Sequence, residues 1–258
     1  MTFNEVILGS SPFTFAPQFG HRTRLYELDF KDQPDNIAEI MDKAYELGVN
    51  EFLLKSSDDV EKALDLSLSR GNDWSVIGMT NTDDYDSDMA LFEKYNTTMV
   101  LLDGFFVDKC IEDEDFDLVS KYLCDIRSRG YVPAIETRIP FKHLPIIEES
   151  SFLDDFDVIM FPLNFYGYMM DCNFLNKDNK NKIKDIMGRL DKKIIANRTL
   201  ATGILKPNEA YDFIKNIDYL DAVCVGLAKV SEAEETLNVI NSVKSWFFCF
   251  CFFFSFFY

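Results

Sequence analysis

Basic residues are the first shortage. Across 258 residues, 26 Lys and Arg face 44 Asp and Glu, a formal charge of −18. A nucleic-acid surface needs clustered cations to release counterions, so this balance excludes a general polyanion binder. Glycine and proline are also few, at eleven and eight, which excludes a linker-like chain, and a 47% hydrophobic content excludes a disordered one. Cys110, Cys124, Cys172 and Cys224 stand singly, and Cys249 with Cys251 is the one close pair. No CxxC occurs, and thiols so scattered read as reduced, partly buried residues rather than a disulfide framework, as expected of a cytoplasmic protein. The two histidines, His21 and His143, fall in loop-like stretches with no ligand at metal spacing, so no zinc site is expected. A Walker loop and a G-x-S-x-G elbow are absent, and the acidic stretch IEDEDFD at 111–117 lacks the glycine of a calcium loop and reads as a solvated helix start. The opening MTFNEVILGSS has neither a basic nor an apolar leader region, so no signal peptide is expected.

Long hydrophobic runs are missing until Trp246, where the chain turns into WFFCFCFFFSFFY. At about thirteen residues this stretch is short of the roughly 20 needed to cross a bilayer, so no membrane span is expected. It reads as an out-of-frame or read-through end at 246–258, outside a single domain of residues 1–245. A hydrophobic docking tail and a membrane-surface anchor are the other readings. Intact mass of protein from the native source separates them: a species lacking these residues is the expected result, and full mass would sink the first reading.

What is present is a regular alternation. Short apolar or β-branched runs stand at 5–8, 51–54, 75–79, 99–102, 131–135, 158–163, 193–196 and 222–225, and stretches with helical spacing separate them, such as Ile37, Ile40, Met41, Ala44 and Leu47. Gly48 and Gly130 stand where helices would stop, and Ser231 with Glu234 has the pattern of a capping box opening the last helix. Eight strand–helix units, repeating about every 30 residues, predict an α/β fold, a (β/α)8 TIM barrel, over a doubly wound open sheet. No G-x-G-x-x-G follows the first strand, as the open sheet would require for a dinucleotide.

A barrel gathers its chemistry where strands end. The residues just past each run include Lys55, Thr82, Asp103, Glu136, Arg138, Asn164, Arg198 and Lys229. Lys55, Arg138, Arg198 and Lys229 against Asp103 and Glu136 predict a locally cationic mouth on an acidic protein, hence a small anionic metabolite as ligand. For catalysis the candidates are Asp103 or Glu136 as acid/base, and Lys55 or Arg138 as electrostatic stabiliser or Schiff-base amine.

Towards the C-terminus a resemblance to a family emerges. KKIIANRTLATGIL (192–205) resembles the strand-seven segment of the aldo-keto reductase superfamily, in which a strand enters a P-L-x-x-G-x-L turn, here Thr199, Leu200, Gly203 and Leu205. AVCVGLAKVSEAEETLNVI (222–240) is similar to that family's last strand and helix, whose loop and helix N-terminus hold the cofactor's phosphates. Weaker likenesses lie in AYELGVNEFLL, RGYVPAIETRIP and VIMFPLNFYG, the last placing Asn164 near a matching position. The resemblance implies a TIM barrel and a phosphate corner of Gly203, Gly226, Leu227, Ala228, Lys229 and Ser231. It also implies NADPH, but the sequence departs from the family's Asp, Tyr, Lys and His. LLKSSDD stands at the second strand, Met79 and Thr80 end the third, Asp103 follows the fourth, and Asn197 replaces the aromatic expected against nicotinamide. NADPH-dependent carbonyl reduction is thereby disfavoured and the cofactor is left open. The expectation is an aldo-keto-reductase-like barrel that binds a small phosphorylated or nucleotide ligand with diverged or lost oxidoreductase activity. A non-catalytic metabolite-binding or protein-interaction module and a lyase or isomerase acting on a sugar phosphate are the alternatives.

Overall fold

A computed structural model describes residues 5–81 and 84–254, with residues 244–254 described by backbone alone. Thr82 and residues 255–258 therefore lie outside the described residues. Eight parallel strands close into a barrel in sequence order. They are β1 (Glu5–Gly9), β2 (Glu51–Lys55), β3 (Ser75–Met79), β4 (Thr97–Leu102), β5 (Val132–Glu136), β6 (Val158–Pro162), β7 (Lys193–Asn197) and β8 (Ala222–Gly226). All eight apolar runs are strands. Closure is made by β1 against β8, in register from Glu5↔Ala222 to Gly9↔Gly226.

Each strand is covered on both faces, which is why the runs read as continuously apolar. One face fills the barrel with Ile7, Leu53, Ile77, Leu101, Met160 and Ile195. The other packs against helices, for example Phe52 and Leu54 of β2 with Ile37, Met41 and Ala44. Those last three lie on α2 (Pro34–Glu46), preceded by α1 (Arg22–Phe30). The ring continues with α3 (Asp58–Ser69), α4 (Tyr85–Phe92), α5 (Gly104–Glu112), α6 (Phe116–Ser128), α7 (Pro140–Glu148), α8 (Lys177–Leu190), α9 (Pro207–Ile214) and α10 (Val230–Phe254). Among the described residues no helix is long and apolar enough to cross a membrane.

One local expectation is met in part and two are corrected. The stretch IEDEDFD is a junction between two helices: α5 ends at Glu112, and the Asp115 carboxylate accepts the Leu118 N–H at 3.3 Å to open α6. His143 is not in a loop but in α7, fully buried, with Nδ1 2.8 Å from Asp108 Oδ1. At the last helix, α10 already starts at Val230, so Ser231 falls inside its first turn. Glu234 reaches Lys43 at 3.5 Å, and Glu232 supplies the carboxylate that bonds the preceding loop.

Gly78 shows how tightly the outer layer is packed. A Cβ there would stand 2.6 Å from the Phe92 ring on α4. Gly78→Ala is expected to destabilise the fold by about 1–3 kcal/mol through overpacking, read as a lower urea midpoint at unchanged slope. An unchanged midpoint would contradict this packing.

Candidate functional site

The strand ends converge on one cavity of about 850 Å³ at the C-terminal mouth of the barrel. Lys55 ends β2, Glu136 ends β5 and Asn197 ends β7, while Asp103 and Arg198 follow β4 and β7 by one residue. Parallel pairing aligns these ends, so residues distant in sequence meet at the floor.

Two carboxylates anchor that floor. Lys55 Nζ lies 2.9 Å from Asp103 Oδ2, and Asp103 Oδ1 accepts the Phe105 N–H at 2.8 Å as the N-cap of α5. Asp103 is 3% exposed, and its own N–H donates to Thr80 Oγ1 at 3.1 Å. Glu136 is equally enclosed. Its Oε1 accepts Asn197 Nδ2 at 2.7 Å, its Oε2 accepts the Gly104 N–H at 3.1 Å, and Arg198 Nη2 stands 3.9 Å from Oε1. Gly104 is required here, because a Cβ would lie 2.9 Å from Glu136 Oε2 and 2.8 Å from Arg138 Cγ.

Burial pushes the Glu136 carboxyl above its ordinary range; Arg198 opposes the shift and Asp103 adds to it. Arg198 is held below its usual value by burial first, with Glu136 countering and the neighbouring Arg138 adding to the depression. Arg198 adopts a left-handed backbone at φ 53°, and its Nη1 donates to the Met169 carbonyl at 3.3 Å.

Arg138 stands half-buried in the wall of the mouth. Its guanidinium lies 3.4 Å from the Phe105 ring centre, its buried Nε has no hydrogen-bond partner, and among the described residues it makes no ion pair. Arg138 is thus a half-buried cation without an ion pair among the described residues, beside an Arg198 whose carboxylate partner, Glu136, stands 3.9 Å away.

Of the residues singled out in the sequence, Lys55, Asp103, Glu136, Arg138, Arg198, Gly203, Gly226 and Leu227 border the cavity. Asn164, Ala228, Lys229 and Ser231 do not border it. Asn164 folds the loop after β6: its Oδ1 accepts the Tyr168 N–H at 2.8 Å, and its Nδ2 donates to the carbonyls of Tyr168 at 3.0 Å and Arg198 at 3.3 Å. Lys229 and Ser231 are exposed. Ala228 is buried, and its N–H donates to Glu232 Oε2 at 3.0 Å. A side-chain carboxylate thus occupies a backbone donor of the phosphate corner, and Glu232 and Glu235 both face the cavity there.

Among the lining residues Arg22 and Tyr26 went unmarked in the sequence, and other side chains support the mouth. Arg22 and Tyr26 reach the mouth from α1, where Arg22 Nη1 donates to the Thr202 carbonyl at 2.9 Å across 180 residues of chain. Asn81 is fixed by the buried Asp88, whose Oδ1 accepts its Nδ2 at 3.1 Å. Asp108 pins the Arg138 segment: Oδ2 accepts the Arg138 N–H at 3.0 Å, while Oδ1 accepts Thr137 Oγ1 at 2.7 Å and meets His143. Nothing in a single sequence marks such long-range pairs. Among the described residues no group of three or more His, Cys, Asp or Glu is placed to hold a metal ion.

Comparison with known proteins finds likeness in structure alone. No protein-family model matches the chain, and no curated protein matches it in sequence. Among solved structures it is similar to PA4992 of Pseudomonas aeruginosa, described as "the putative aldo-keto reductase", at TM-score 0.61 and 13% identity over 93% of this chain and 90% of that one. Gox0644 in its apo form is similar at TM-score 0.59 and 13% identity, over 91% and 82%. QR15, described as an aldolase, is similar at TM-score 0.52 and 16% identity, over 80% and 89%. The chain is a TIM barrel of aldo-keto-reductase-like fold.

The raised Glu136 pKa carries a signed consequence. The folded protein keeps this proton to higher pH than the unfolded chain, where a glutamate titrates at about 4.3. Stability from this group is full below the unfolded value and is lost as pH rises through the raised folded one. The melting temperature of Glu136→Gln relative to wild type should therefore climb as pH rises above about 4.3. A constant offset across that range would contradict the assignment.

Proposed function

We propose that the protein binds a small organic or phosphorylated anion in the barrel mouth, with its acidic group against Arg138 and Arg198. The observation that carries this reading is the Arg138 guanidinium, which among the described residues has no carboxylate partner and stands beside a second, largely buried arginine. The reading moves the anion away from the corner between β8 and α10. That corner has a helix N-terminus and Gly226, the usual means of holding phosphate. Glu232 already takes the Ala228 N–H, and Glu235 adds a second negative charge.

With the anion so held, the reacting part of the ligand lies over Lys55, Asp103 and Glu136. Glu136, with its elevated proton affinity, suits proton transfer. The Lys55–Asp103 pair suits electrostatic stabilisation of charge that develops on an oxygen. Lys55 would have to leave Asp103 to act as a Schiff-base amine. This is the equipment of a lyase or isomerase that moves a proton at carbon, and it includes none of the four residues that the aldo-keto reductase resemblance requires for carbonyl reduction. NADPH is therefore not assigned.

A non-catalytic binding module is favoured by a different observation. Both oxygens of Asp103 and both of Glu136 are engaged by protein groups, which is how carboxylates serve a structural role.

Thermal stability against a ligand panel tests the proposal. Sugar phosphates and short organic acids should raise the melting temperature, since a ligand at 100 times its Kd adds about 2.7 kcal/mol. A larger shift with NADPH than with any of these would overturn the reading. A panel without any shift would leave the interaction module.

A further inference from the structure

Beside the mouth lies a second cavity of about 550 Å³, between α5, the start of α7 and the loop after β6. It shares Phe105, Arg138 and Arg198 with the first as a common wall. Its other charged residues are already engaged. Lys109 pairs with Asp113 at 3.0 Å, Glu112 with Lys142 at 3.1 Å, and Asp108 holds Thr137, His143 and the Arg138 N–H. What remains is an apolar lining of Ile139, Met169, Met170 and the Phe105 ring, with the two guanidinium groups at one end.

Resting on the anion-binding reading above, we infer that the ligand is amphipathic: an acid group at Arg138 and Arg198 with an alkyl or aryl arm lying in the second cavity. Charge and surface agree. The arginines neutralise the head, and apolar walls gain by covering a hydrocarbon. Methionine suits such a wall, because its flexible thioether side chain adapts to different arms. The segment carrying Met169 and Met170 is fixed at its two sides. The Met169 carbonyl accepts from Arg198, and Asp171 Oδ1 and Oδ2 accept the N–H groups of Phe141 at 2.9 Å and Lys142 at 2.6 Å. The groove is thus preformed, and little ordering is left for binding to supply.

The test is a calorimetric titration of the full chain with two series, straight-chain carboxylates from acetate to octanoate and monoalkyl phosphates of matching length. Affinity should rise about fourfold per added methylene in the series whose head fits. The Ile139→Asn/Met170→Gln double variant should flatten that slope while leaving the shortest member within about twofold, and Arg138→Met should weaken every member about tenfold or more. Binding without chain-length dependence would overturn the second-cavity assignment and leave the anion reading standing. A slope that survives in the double variant would place the arm elsewhere and also overturn it. Failure of every member of both series to bind would remove the anion reading itself, and this inference with it.

Discussion

A carboxylate withdrawn from water at the barrel floor sets the terms for everything around it. Glu136 is 4% exposed, and an ionisable group so enclosed is tolerated where neighbours supply hydrogen bonds and compensating charge. The fold supplies them from two other strand ends. The N–H of Gly104 comes from the turn after β4, the amide of Asn197 from the end of β7, and the guanidinium of Arg198 from the residue beyond. Barrel closure is what brings these ends together, so the site depends on strand register as much as on the residues themselves.

The consequences spread outward from that contact. With Asn197 Nδ2 committed to Glu136, the amide cannot turn, and the end of β7 presents a polar floor where the family resemblance would place an aromatic ring. With Gly104 pressed against Glu136 and Arg138, the start of α5 carries no side chain, and Phe105 next to it receives the Arg138 guanidinium on its face. Arg138 is in turn fixed through its backbone by Asp108, which His143 and Thr137 support from behind. Charge in the mouth is therefore divided. The β5–β7 side carries Arg138 and Arg198, and the β8–α10 side carries Glu232 and Glu235, with Arg22 of α1 near them. Such a division suits an acid group on the first side, and it argues against a pyrophosphate on the second.

Much of this architecture was legible in the sequence, for identifiable reasons. Parallel strands buried on both faces must be continuously apolar, and each of the eight runs became a strand whose bounds shifted by at most two residues at either end. Strand-end position then picked out Lys55, Asp103 and Glu136, which the structure places around one cavity. Other elements were hidden. In α1, Leu25 and Leu28 are 54% and 60% exposed, so the helix shows no apolar stripe to read. The start of α5 lies behind Asp103 and Gly104, a pair that also signals a turn, and the residue that caps the helix there was read only as a site candidate. The contacts that define the floor join residues far apart in sequence, such as Glu136 with Asn197 and Lys55 with Asp103, and pairing of that kind follows from closure rather than from any local pattern. The occupied phosphate corner had a partial signal in the acidic run after Ser231, but which carboxylate would turn back onto the loop depends on the helix beginning at Val230.

Locating the bound anion is the measurement that bears most directly on this account. Inorganic phosphate titrated into the wild type, Arg198→Met and Glu232→Gln distinguishes the two sides of the mouth. The account predicts that Arg198→Met weakens phosphate binding about tenfold or more, as loss of a charge-assisted contact should, and that Glu232→Gln leaves it nearly unchanged. Binding that ignores Arg198 and strengthens when Glu232 loses its charge would contradict it, and would return the ligand to the corner at β8 and α10.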